Sequence, residues 1–275
     1  MSSYVSRELF SFTQYAVRST IMETSLILLF GQLFLVLGLL LLADRWLHRH
    51  LQGVMFLLTN DTEIATWLYA LLLLPGVALH ELSHAFVAAL LRVKIGRISI
   101  LPRKAGNRIQ LGFVPVQQTD FVRASLIGAA PAFIGGGVIV LLGYRIFGTP
   151  EVMAALAAAD WPAALAGLRQ ALNAPDAWLW AYLVFAVSNT MLPSRSDTHA
   201  WPLLGGSLLL IGALIAFAGG GTLLLNGLSR ALTHAVRWLV LLGASTLLID
   251  IPFFGGLFLL EKILERLRGI RLTYQ

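Results

Sequence analysis

The 275-residue chain has no cysteine. That excludes disulfides and thiolate metal sites, so any metal ion must be held by histidine and carboxylate side chains. Charge is also scarce. Only 12% of residues are Asp, Glu, Lys or Arg, against about 25% in soluble domains, and 57% are hydrophobic. With a mean hydropathy of +0.78, the composition is that of a membrane protein. The net charge of +6 would suggest nucleic acid in a soluble chain. Here the cations lie mainly between apolar runs, where they set orientation in a bilayer, so no nucleic-acid partner is expected.

The apolar runs predict an all-α polytopic protein of one domain, 1–275, with six transmembrane helices at about 25–43, 64–91, 121–147, 177–192, 203–225 and 235–260. The first run follows a long polar segment and lacks a small-residue cleavage site, so it reads as a retained span. The third carries small residues at Gly128, Ala129, Ala130 and Gly135, Gly136, Gly137, which allow helices to approach closely in lipid. The segment 92–120 differs from the rest. Ile98 and Ile100 flank Ser99, and beyond Ala105-Gly106-Asn107 the residues Ile109, Leu111 and Phe113 alternate with Arg108, Gln110 and Gly112. Period two with a turn signal predicts a small membrane-associated β-hairpin between spans two and three.

Six spans put both termini on one side of the membrane. Fourteen of the 20 Lys and Arg then share the side of the termini and the hairpin, leaving 6 opposite. The positive-inside rule makes that side cytoplasmic, and the expected location is the cell membrane, multi-pass.

Within the second span, residues 80–84 read His-Glu-Leu-Ser-His. On a helix, His80 and His84 are four apart and share a face, so both imidazoles can reach one ion. Glu81 flanks the pair and is placed to act as general base toward water at the metal. Ionisable side chains in a lipid-spanning segment are costly, which favours a functional reading over a polar helix contact. Two histidines leave a zinc ion under-coordinated, since a catalytic zinc takes three protein ligands. Asp197, His199, Glu151 and Asp250 are the candidates for the third. Glu151 falls on the non-cytoplasmic side. Asp250, in Ile249-Asp250-Ile251-Pro252, is expected to serve backbone donors freed near Pro252. Asp197 lies at the cytoplasmic end of span four, at the depth of the histidines, and His199 two residues on competes with it.

The chain resembles the site-2 protease family of intramembrane zinc metalloproteases, in its six-span form without an inserted PDZ or CBS module. His80, Glu81 and His84 match that family's first motif. Its second motif places an Asp eight residues after an Asn, as Asp197 follows Asn189 here. Pro193 comes four residues after Asn189 where the family has three, and Thr198 stands where it has glycine after the Asp. The resemblance covers about 64–202, which it marks as the catalytic core. It implies a Zn2+ cofactor held by His80, His84 and Asp197, with catalytic roles for Glu81 and for Asn189 toward the substrate carbonyl. The substrate would be a transmembrane protein cut within or next to its spanning segment. Two alternatives stand beside it: a membrane-bound zinc protease acting on cytoplasmic or lipid-modified chains, and an inactive transporter or metal-binding relative.

Overall fold

The computed structural model describes residues 2–274 except 106, 107 and 195, and for 2–26, 103–105, 108–110 and 222–226 it describes the backbone alone. The described chain is mostly helical. Helix α1 spans Ser2–Thr59 and α2 spans Thr62–Leu90. The turn between them is closed by Asp61, whose carboxylate caps α2 by accepting from the amides of Glu63 and Ile64. The expected connector at 45–63 is thus largely helix. Two three-residue strands, β1 (Arg103–Ala105) and β2 (Arg108–Gln110), follow α2. Then come α3 (Phe121–Ile146), the short α4 (Thr149–Ala157) and α5 (Trp161–Leu172), α6 (Ala177–Ser188), α7 (Trp201–Ile215) and α8 (Gly221–Arg268).

Among the described residues, five helical segments are long and apolar enough to cross a membrane: Ile27–Thr59, Thr62–Leu90, Phe121–Ile146, Trp201–Gly220 and Gly227–Arg268. The fourth expected span, 177–192, forms a shorter apolar helix instead. At 12 residues α6 reaches about 18 Å, well short of the ~30 Å hydrocarbon core. It ends because Ser188, Asn189 and Thr190 turn their side chains back onto the carbonyls of the last turn, and Pro193 follows. The expected break between spans five and six is also smaller than a loop. Residues 226–234 are helical, and the chain is kinked instead between α7 and α8 at Gly219, where φ is 87°.

Helix α8 runs parallel to α1. Val36 and Leu40 lie against Gly243, Trp46 lies edge-on to Phe254, His50 pairs with Glu261, and Arg268 donates to the Leu58 carbonyl at 2.9 Å. The residue numbers rise together, so the ends of α1 and α8 lie at one end of the bundle. Beyond α8 the tail folds back there: the Leu272 amide donates to Glu265, and Tyr274 packs on the His50 ring. Ser2 and Tyr274 therefore stand at opposite ends of the α1–α8 pair.

Helix α2 occupies the centre. Its Tyr69, Leu73 and Val77 pack with Leu47, Leu51 and Val54 of α1 and Phe185 of α6. Helices α2 and α6 run side by side and nearly touch at Gly76, where a Cβ would stand 2.0 Å from the Ala186 carbonyl oxygen. Pro75 is accommodated inside α2, and one turn before it the Tyr182 hydroxyl donates to the Leu72 carbonyl at 2.9 Å.

Candidate metal centre

The three residues that the sequence singles out for metal binding converge. One ligand atom each from His80, His84 and Asp197 lies within 4.8 Å of the others, the only such histidine-carboxylate group among the described residues. The two Nε2 atoms are 3.1 Å apart. The Asp197 oxygens lie 3.3 Å from His84 Nε2 and 3.8 Å from His80 Nε2. Ligands at ~2.0–2.1 Å around a tetrahedral zinc ion are separated by roughly 3.3 Å, so these edges fit one ion.

Hydrogen bonds on the far side of each ring fix the tautomers. His80 Nδ1 donates to the Thr190 carbonyl at 2.7 Å, and His84 Nδ1 donates to the Ile127 carbonyl at 2.8 Å. A carbonyl can only accept, so each Nδ1 carries its proton and each neutral ring presents a bare Nε2 lone pair. Two such lone pairs and a carboxylate face one another with no donor between them. That arrangement calls for a cation, either a proton or a metal ion.

Asp197 reaches the histidines from the loop between α6 and α7. Its Oδ2 accepts from the Ser194 amide at 2.7 Å and the Ser194 hydroxyl at 2.6 Å. The loop rests on α3 at Gly128, where no side chain intervenes. Arg195, part of the same polar segment, lies outside the described residues. His199 is exposed and donates Nδ1 to the Ser196 carbonyl at 2.6 Å. It borders the cavity in front of the site but does not join the ligand group.

That cavity, about 800 Å³, is lined by His80, Glu81, His84 and Asp197 on one side and by part of the segment 112–119 on the other. The two arms of 94–117 form an irregular strap. Lys94 and Gly96 pair with Gln117 and Pro115, and Ser99 exchanges both backbone bonds with Phe113. Arg103 then lies opposite Gln110 across the short strands. Residues 106 and 107, where the turn is expected, lie outside the described residues, as do the side chains of Arg103, Lys104, Arg108 and Ile109. Leu111 packs toward the α1–α2 core, while Phe113 is exposed. The strap backbone meets Glu81 at Gly112, where a Cβ would stand 2.7 Å from both Cγ and Oε1 of Glu81. Glu81 itself is buried beside the ligands and belongs to no ion pair among the described residues.

Asn189 caps the end of α6 and does not line the cavity. Its amide donates to the Phe185 carbonyl at 2.8 Å and to Ser188 Oγ at 3.2 Å. Asp250 also departs from expectation. Helix α8 continues through Pro252, and the Asp250 carboxylate turns to Ser188 of α6. Glu151 sits in α4, at the end of α3 away from the site. Sequence reasoning missed Thr190, Ile127, Gly128 and Gly112. The first two act through backbone carbonyls, which carry no side-chain signature. The glycines act by what they leave out, and only the small-residue pattern of α3 hinted at one of them. Comparison of the chain with models of protein families, with curated proteins and with solved structures finds no match.

Proposed function

We propose that the protein is an intramembrane zinc metalloprotease of the site-2 protease kind, hydrolysing a peptide bond within or beside a transmembrane segment of another membrane protein. The observation that carries this reading is the convergence of His80, His84 and Asp197 on one point, with Glu81 at its flank and an open cavity before it. His80, His84 and Asp197 would hold the ion. A bound zinc ion supplies Lewis acidity to the scissile carbonyl and acidifies water beside it.

The protein's own residues do the rest. Thr190 and Ile127 keep both Nε2 atoms pointed inward, so the ligands need no rearrangement. Glu81 takes the proton of the attacking water and delivers it to the leaving nitrogen as the C–N bond breaks. The products are a carboxylate and an amine, and no other reactant is needed. The cavity also requires an unwound substrate, since a helix hides its carbonyls in its own hydrogen bonds.

The strap supplies partners for such a chain. Phe113, Pro115 and Gln117 turn their backbone groups to the first arm. By strand alternation, Gly112, Val114 and Val116 turn theirs away from it, and this free edge borders the cavity. An extended substrate can add there as a further strand, gaining the bonds it lost on unwinding.

Orientation follows the helix directions. Relative to a six-span layout, the parallel α8 moves the four cations of the tail to the opposite side and brings Arg230 and Arg237 to the strap side. The division becomes 12 against 8, still in favour of a cytoplasmic strap and N-terminus. The proposal is tested with purified protein and a model transmembrane substrate. It requires cleavage that depends on zinc and on Glu81, and the absence of any cleavage with zinc bound would favour a metal-binding, non-proteolytic protein.

A further inference from the structure

Asp250 lies in the middle of α8 and is only 4% exposed. A carboxyl group buried in a membrane helix must have partners, and the ligand group does not include it. Its oxygens stand 3.4 and 3.5 Å from Ser188 Oγ, and the Asn189 side chain lies beside the same carboxyl. Asn189 also donates to Ser188 Oγ, and the single serine proton is shared between the Phe185 carbonyl at 3.0 Å and the Asp250 carboxylate. The three residues thus form one polar joint between α8 and the last turn of α6.

This turn holds one side of the metal centre. Two residues after Ser188, the Thr190 carbonyl accepts from His80 Nδ1. The opposite side of the turn is pressed against α2, because Gly76 leaves room for Ala186 and Thr190 to come into contact. Below it, Ile249 of α8 packs with Val184, Val187 and Met191. The end of α6 is therefore clamped between α2 and α8, and Asp250 is the polar part of the α8 jaw. A helix end with loose side-chain caps would otherwise fray, and the Thr190 carbonyl would move with it.

We infer that Asp250 is a positioning residue: through Ser188 and Asn189 it locks the end of α6 so that the Thr190 carbonyl holds His80 in its ligand tautomer. The inference rests on the reading of His80 as a metal ligand, but the His80–Thr190 bond exists with or without a metal. Asparagine at 250 keeps an acceptor for Ser188, whereas leucine keeps only the volume.

The test uses the full chain in detergent micelles. Zn2+ affinity is measured by competition with a chromophoric chelator, and the visible spectrum is recorded with Co2+ in place of zinc. In parallel, metal-free protein carrying 15N-histidine reports the His80 Nδ1 resonance, assigned by its loss in His80→Ala. Asp250→Leu should weaken Zn2+ about 10-fold, as loss of an outer-shell contact does, and shift both the Co2+ bands and the His80 Nδ1 resonance. Asp250→Asn should restore all three, and Ser188→Ala should resemble the leucine variant. Unchanged affinity, spectrum and resonance in folded Asp250→Leu would overturn the inference, as would equal damage by asparagine and leucine. If the wild type binds neither ion, the metal reading fails, and the His80 resonance alone decides the role of Asp250.

Discussion

The backbone of Asp197 lies directly on Gly128 of α3: a Cβ at Gly128 would stand 1.9 Å from the Asp197 carbonyl oxygen. Backbone against backbone leaves nothing flexible to give way. The loop that delivers the carboxylate to the histidines is therefore seated by the absence of a side chain. Gly128→Val should lift Asp197 off the site and lower Zn2+ affinity by at least 10-fold, while the thermal midpoint changes little if the loop simply moves outward. Wild-type zinc content in that variant would mean that the loop is not held there.

Asp197 and His199 separate in the same assay. The carboxylate of Asp197 faces both Nε2 atoms, whereas His199 is turned to the Ser196 carbonyl. Asp197→Ala should lose zinc, and His199→Ala should keep it. The reverse pattern, read by elemental analysis of purified protein, would transfer the ligand role to His199.

Glu81 tests the chemistry apart from the binding. It is buried beside the ligands without being one of them. Glu81→Gln should retain zinc and lose roughly 10²–10⁴-fold in cleavage rate, the usual worth of a positioned base. His80→Ala should lose both metal and activity. Near-normal cleavage by Glu81→Gln would remove the general-base role.

The strap edge can be tested at Val114. Phe113 and Pro115 on either side bond to the first arm, so proline at 114 removes a donor facing the other way and leaves those bonds in place. Val114→Pro should keep zinc and cut transmembrane substrates more slowly, chiefly through a higher KM. If cleavage of such a substrate is unaffected in the folded variant, the edge does not bind it.

Topology is directly accessible because the chain has no cysteine of its own. Single cysteines at Thr119 and at Arg271 should be labelled by an impermeant maleimide from opposite sides of the membrane. Labelling of both from one side would restore the arrangement with shared termini and contradict the parallel packing of α1 and α8.

Much of this protein was legible before any coordinates. The apolar runs dictated helices in lipid, because only internally satisfied backbone is stable there. The 3.6-residue period put His80 and His84 on one face, and the missing cysteines left histidine or a carboxylate for the third ligand. Depth left Asp197 and His199 in competition, and the spacing from Asn189 favoured Asp197 only through the family resemblance. The chain alone did not determine how many runs cross: Ala177–Ser188 is an apolar helix shorter than a full span, and the kink at Gly219 falls inside an apolar run.

Helix direction was equally hidden. Hydropathy is the same whichever way a helix points, and only the contacts from Val36 through Leu58 with Gly243 through Arg268 set α8 parallel to α1. The orienting carbonyls of Thr190 and Ile127, the seats at Gly76, Gly112 and Gly128, and the reach of Asp250 across to α6 belong to the tertiary structure for the same reason. Each is a relation between residues distant in the chain, and a backbone carbonyl or a missing Cβ acquires a role only when another helix is brought against it.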